Sequence, residues 1–118
     1  MHHGDVARVS GYGFGHVVVD GEEFTRDVIV LPGRVVPNWW RTDGHALVWD
    51  DLADVADELP EHLVVGTGAD GRMRPDPGTL DRLRAGGVAV ECLPTDRAVA
   101  RFAELDPRTT AVALHLTC

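Results

Sequence analysis

Apolar residues in the first part of the chain fall in short β-branched runs, the pattern of half-buried strands. Gly15–Val19 and Phe24–Leu31 are two such runs. The Asp20-Gly21 pair between them predicts a hairpin, because tight hairpin turns need a left-handed backbone that Asp-Gly tolerates. Val35–Arg41 reads as a further extended segment, and Pro37 suits it to an edge. Thr42-Asp43-Gly44 is a turn, and Ala46–Trp49 is another short strand.

The second half alternates between helical and continuous apolar patterns. Asp50 or Asp51 is placed to cap a helix carrying Leu52, Val55, Ala56 and Leu59 on one face, with Pro60 as its stop. Leu63-Val64-Val65-Gly66 has no polar alternation, as expected for a strand buried on both faces. Asp76 with Pro77 opens a second helix, whose Leu80 and Leu83 turn inward and whose end falls at Gly86-Gly87. Val88–Leu93 is the next strand, and Thr95 is expected to cap a third helix with Ala98, Phe102 and Leu105 at helical spacing. Thr110–Leu116 closes the series as a strand. A hairpin followed by β-α-β-α-β-α-β describes an α/β domain with a mixed sheet. Residues 1–7 read as a flexible lead-in and 8–118 as one domain.

Composition then narrows the chemistry. The net charge of −8 argues against nucleic acid and against an acidic membrane surface as partner. All 11 basic residues are Arg, so Schiff-base chemistry and a Walker-type phosphate lysine are excluded. Ser10 is the single serine, and no nucleophile elbow surrounds it. No apolar run approaches a membrane span and no signal peptide is evident, so a cytoplasmic protein is expected. Of the 2 cysteines, Cys92 shares the alternation of Val88 and Val90 and is expected to face the core. Cys118 is the candidate reactive thiol.

Gly66-Thr67-Gly68-Ala69-Asp70-Gly71 follows a strand, and Glu91 lies 20 residues beyond it. This matches the dinucleotide fingerprint in letters. Pro75 and Pro77 nevertheless delay the next helix, so its N-terminal amides are not where a pyrophosphate would sit. A tight loop above a parallel strand is the preferred reading. The loop amides with Arg72 and Arg74 form a candidate site for a small anion or metabolite, lined by Gly66, Gly68, Arg72, Thr95 and His115. His115 and Cys118, three apart, face opposite sides of a continuing strand, so no metal site is assigned. Trp39-Trp40-Arg41 with His45 has the composition of an interface anchor, and one of two adjacent tryptophans in an extended segment must point outward.

In order, Gly11-Tyr12-Gly13-Phe14-Gly15, Val17–Gly21 with Asp27-Val28-Ile29-Val30, Trp40-Arg41-x-x-Gly44-His45, Leu63–Gly68, Leu93-Pro94-Thr95-x-x-Ala98 and His115-Leu116-Thr117-Cys118 resemble the Mth938-like domain family. The family includes mitochondrial complex I assembly factors and an adipogenesis-associated cytosolic protein. The resemblance implies a compact three-layer α/β domain with a central mixed sheet, N-terminal hairpin and three helices, and no cofactor. It brings no catalytic set. It implies a protein-interaction or assembly module; the aromatic–basic group supplies Trp40, Arg41 and His45 as contact candidates, and a monomer or homodimer is expected. The alternative is a ligand-binding, even enzymatic, domain built on the glycine-loop cleft.

Overall fold

The computed structural model describes residues 8–41 and 46–117. The chain opens with β1 (Val9–Gly13), β2 (His16–Val19) and β3 (Glu22–Phe24), which pair as an antiparallel three-stranded sheet. Asp20 and Gly21 form the β2–β3 turn with φ of 52° and 82°, as the Asp-Gly signal predicts. The apolar run 24–31 does not continue as one strand. It bends at Thr25-Arg26-Asp27, and β4 (Val28–Val30) enters a second sheet.

That second sheet is central. After β4 come β5 (Val35–Val36), β6 (Ala46–Leu47), β7 (His62–Thr67), β8 (Arg74–Pro75), α1 (Pro77–Ala85), β9 (Ala89–Leu93), α2 (Thr95–Glu104) and β10 (Thr110–His115). Its strand order is β5-β4-β10-β7-β9, with β10, β7 and β9 parallel and β4 and β5 antiparallel. The sheet is therefore mixed, as read from the sequence. A small parallel pair joins β6 to β8.

Alternation along the central strands divides the core. Ile29, Leu63, Val65, Ala111 and Ala113 face one side and pack with Trp39, Leu52, Val55 and Leu83 of α1. Val28, Val30, Val64, Val112 and Leu114 face the other, beneath Val17 and Val19 of the small sheet and Ala98 and Phe102 of α2. Both faces of β10 and β7 are covered, which is why these strands read as continuous apolar runs.

The helix expected between Asp50 and Leu59 is instead two 3₁₀ stretches, Trp49–Asp51 and Ala53–Glu58. An α-helix would direct the Val55 N–H to the Asp51 carbonyl. That carbonyl accepts the Trp39 indole Nε1–H at 2.8 Å, and the Val55 N–H turns to the Leu52 carbonyl at 3.0 Å. A tertiary bond thus sets the local winding. Two α-helices remain. In α1, Asp76 caps through the Thr79 N–H at 3.1 Å with Pro77 at the first position, as expected. No side chain caps α2, whose N-cap is Pro94; Thr95 is used elsewhere.

Candidate functional site

The carboxyl ends of β7, β9 and β10 lie at one edge of the sheet, and β4 contributes its amino end there because it runs antiparallel. Extending the β4–β10 register, in which Val28 pairs with Leu114, sets Asp27 opposite His115. Asp27 Oδ2 lies 2.9 Å from His115 Nδ1. Arg41 reaches both: one terminal nitrogen donates to Asp27 Oδ2 at 2.7 Å, and the other lies 2.9 Å from His115 Nδ1. The Leu116 N–H donates to Asp27 Oδ1 at 2.8 Å. Both carboxylate oxygens are thereby occupied.

The arrangement is held from behind. Trp39 is buried, its N–H donates to the Asp27 carbonyl at 2.8 Å, and the Arg41 guanidinium carbon stands 5.2 Å from its ring centroid. The Arg41 and His115 side chains keep only 4% and 9% of their surface exposed. Burial alone would raise the Asp27 carboxyl; hydrogen bonds from His115, the Leu116 amide and Arg41, with the charge of a protonated His115, hold it below its ordinary value. A buried acid-base-cation cluster of this kind survives only when each charge is met by another.

In front of the cluster is an open cleft of about 410 Å³, lined by Thr25, Arg26, Asp27, Asn38, Trp40, His115 and Thr117, with Trp39 at its back. Trp40 is 78% exposed and forms part of its wall. The adjacent tryptophans thus divide as expected, Trp39 inward and Trp40 outward. Phe14, 68% exposed, borders the same strand end: the N–H of the next residue, Gly15, donates to the Leu116 carbonyl at 2.9 Å.

The structure brings Trp40, Arg41 and His115 together and adds Asp27, which the sequence reading did not select. Its only sequence signal is the polar Thr25-Arg26-Asp27 interruption of an apolar run. His45 and Cys118 lie outside the described residues. Gly66, Gly68 and Thr95 are near the edge but have a different task. The Thr95 hydroxyl is fully buried, donates to the His115 carbonyl at 2.6 Å and accepts the Gly68 N–H at 2.8 Å. A Cβ on Gly66 would sit 3.0 Å from that hydroxyl and 3.0 Å from Leu114 Cδ2, so glycine is needed for close approach.

The glycine loop is a clasp between β7, α2 and β10. The Gly68 amide is used as described, the Ala69 amide donates to the Thr117 carbonyl at 2.7 Å, and the Gly71 amide donates to the Gly68 carbonyl at 3.1 Å. The anion cradle expected of this loop needs those N–H groups free, and these three are not. Arg72 is solvent-exposed, 3.8 Å from Asp70. Glu91, the residue at ribose spacing, instead accepts from Arg101 and lies 2.6 Å from His62 Nε2.

Cys92 corrects another expectation. It is exposed on β9, an edge strand with only β7 beside it. Among the described residues, no three or more His, Cys, Asp or Glu side chains are grouped to hold a metal ion. No described helix is long and apolar enough to cross a membrane. A second hollow, beside Trp49, Asp76 and Arg82, is occupied with structural work: Arg82 stacks 4.0 Å from the Trp49 ring centroid and Asp76 caps α1.

Comparison with known proteins agrees with this architecture. A family model described as a protein of unknown function (DUF498/DUF598) matches residues 9–116. A conserved hypothetical protein of Pyrococcus horikoshii is 26% identical, with 94% of this chain and 99% of that one covered at a TM-score of 0.79. A Bordetella parapertussis protein is 29% identical, covering 94% and 96% at a TM-score of 0.76. A Bordetella pertussis protein described as an Mth938-like domain shares the fold, at 22% identity and a TM-score of 0.68 over 98% of this chain and 89% of that one. The chain belongs to the Mth938-like family of proteins of unknown function.

Proposed function

We propose that this protein is a non-enzymatic interaction module of the cytoplasm, serving assembly or regulation, which docks a protein partner over the carboxyl edge of its central sheet. The observation that carries this reading is the placement of two exposed aromatics. Phe14 and Trp40 are the large hydrophobic side chains exposed among the described residues, and both border the end of β10. Exposed aromatics near one strand end, beside a buried polar cluster, have the make-up of interface anchors. Trp40 rests on a backbone fixed by the buried Trp39 and Arg41, so little ordering remains to be done on docking.

Affinity capture from the source cell tests this with three baits: the native protein, a Phe14→Ser/Trp40→Ser double variant, and Arg72→Ala as a control on the exposed glycine loop. The expected result is a defined protein recovered by the native bait and the control and lost with the double variant. Recovery of the same proteins by all three would overturn the reading. Sedimentation of the purified protein decides whether a second copy is the partner.

A further inference from the structure

We propose that two copies of this chain pair through the free edge of β3, antiparallel about a two-fold axis at Phe24. The inference goes beyond partner docking, since it uses neither Phe14 nor Trp40.

β3 ends the small sheet: it pairs with β2 on one side and, among the described residues, with no strand on the other. The two-residue Asp20-Gly21 turn makes Val19 and Glu22 the hydrogen-bonded pair that closes the hairpin. Bonded and non-bonded pairs alternate along such a ladder, so Glu23, opposite Val18, turns its N–H and C=O outward. Thr25 follows two residues on, and its backbone bonds no other segment among the described residues. The edge is open, because it borders a hollow of about 370 Å³ that Pro37 and Asn38 also line. Outward backbone groups of this kind are a template for a further strand.

Charge selects which strand. Glu22 and Glu23 guard the edge against most segments, as charged residues do on exposed strands. A two-fold axis at Glu23 would set that carboxylate against its own counterpart, which is repulsive. An axis one residue later, at Phe24, sets Glu22 against Arg26 of the second copy, twice by symmetry, and Glu23 against Thr25. In that register the outward groups of Glu23 and Thr25 meet each other, and half-buried Phe24 gives the contact an apolar centre. Glu22, Glu23 and Arg26 are all exposed and make no ion pair with any described residue, so none has to leave a partner. The net charge of −8 on each copy opposes association at long range. Physiological salt screens that repulsion beyond about 8 Å and leaves the close Glu22–Arg26 pairs in force. The contact is isologous and closes at two copies.

Sedimentation of the whole chain up to millimolar concentration, in about 0.15 M salt, tests the proposal. The native protein should form a reversible dimer. Arg26→Glu and Glu22→Arg should each weaken it at least about tenfold, because like charges then meet twice. Glu22→Arg makes each copy less acidic, so general repulsion alone would predict tighter association, the opposite result. An equal mixture of the two variants should restore the dimer, with one copy of each, because the substituted side chains then face each other. Phe14→Ser/Trp40→Ser should dimerise like the native protein. A monomer at every concentration, a dimer that survives both charge reversals, a mixture that stays monomeric, or loss of the dimer in Phe14→Ser/Trp40→Ser would each overturn the proposal. The charge variants leave Phe14 and Trp40 in place, so failure here leaves the docking reading to the capture experiment.

Discussion

Asp27 and His115 are 88 positions apart in sequence and 2.9 Å apart in space, joined one step beyond the β4–β10 ladder and bridged by Arg41. The cluster is at once the polar floor of the cleft and the seam that ties the N-terminal crossover to the last strand.

Replacing Asp27 with Asn should destabilise the protein by about 3 kcal/mol at neutral pH, because Arg41 keeps its charge in a buried place without its counter-ion. The native carboxyl is held below its ordinary value, so its stabilising contribution is complete above about pH 4 and fades as pH falls through the lower folded value. Urea unfolding at pH 7 and pH 3 should therefore show a wide gap between native protein and Asp27→Asn at pH 7 and a narrower one at pH 3. A gap independent of pH would refute the assignment.

Gly66→Ala should cost about 1–3 kcal/mol, since its methyl meets the Thr95 hydroxyl and Leu114, both in the packed interior. Gly33→Ala is the control. No atom lies within 4 Å of its added carbon, and its stability should stay within about 0.5 kcal/mol of native. Thermal unfolding of the two variants gives the comparison.

Thr95→Val keeps the shape but removes a hydroxyl that serves both the Gly68 amide and the His115 carbonyl. Two buried backbone groups lose their partner, at a cost of about 1–3 kcal/mol each at most. Hydrogen exchange should locate the effect: protection of the Gly68 amide falls first, while amides in the middle of β7 follow global unfolding.

Cys92 is exposed, so a thiol reagent should label it in the folded state. Burial of its surroundings pushes the thiol above its ordinary value, with the Arg84 charge opposing more weakly. Measured in a Cys118→Ser background, the labelling rate should rise at higher pH than for free cysteine. Protection as complete as that of a core residue would count against the edge-strand placement.

The strands were legible where burial covers both faces. Leu63–Val65 and Ala111–Leu114 are apolar throughout because α1 lies over one side and α2 with the small sheet over the other. The turn at Asp20-Gly21 and the cap at Asp76 were legible because both are local chemistry. Trp40, Arg41 and His115 stood out by composition. Asp27 did not, because an acid beside a strand is ordinary until the register shows what faces it. Cys92 was misread because alternation gives a side of the sheet and says nothing of whether that side is covered.

By itself, the sequence determined the α/β class, the Asp20-Gly21 turn, the Asp76 cap and the family, because these are written in local chemistry or in the order of short motifs. Tertiary structure alone decided the rest. It converted an expected helix into 3₁₀ turns by giving the Asp51 carbonyl to Trp39. It closed the glycine loop on Thr95, and it set Asp27, Arg41 and His115 around one buried contact. Hydrogen bonds and ion pairs between distant segments depend on register and burial, and neither exists until the sheet has formed.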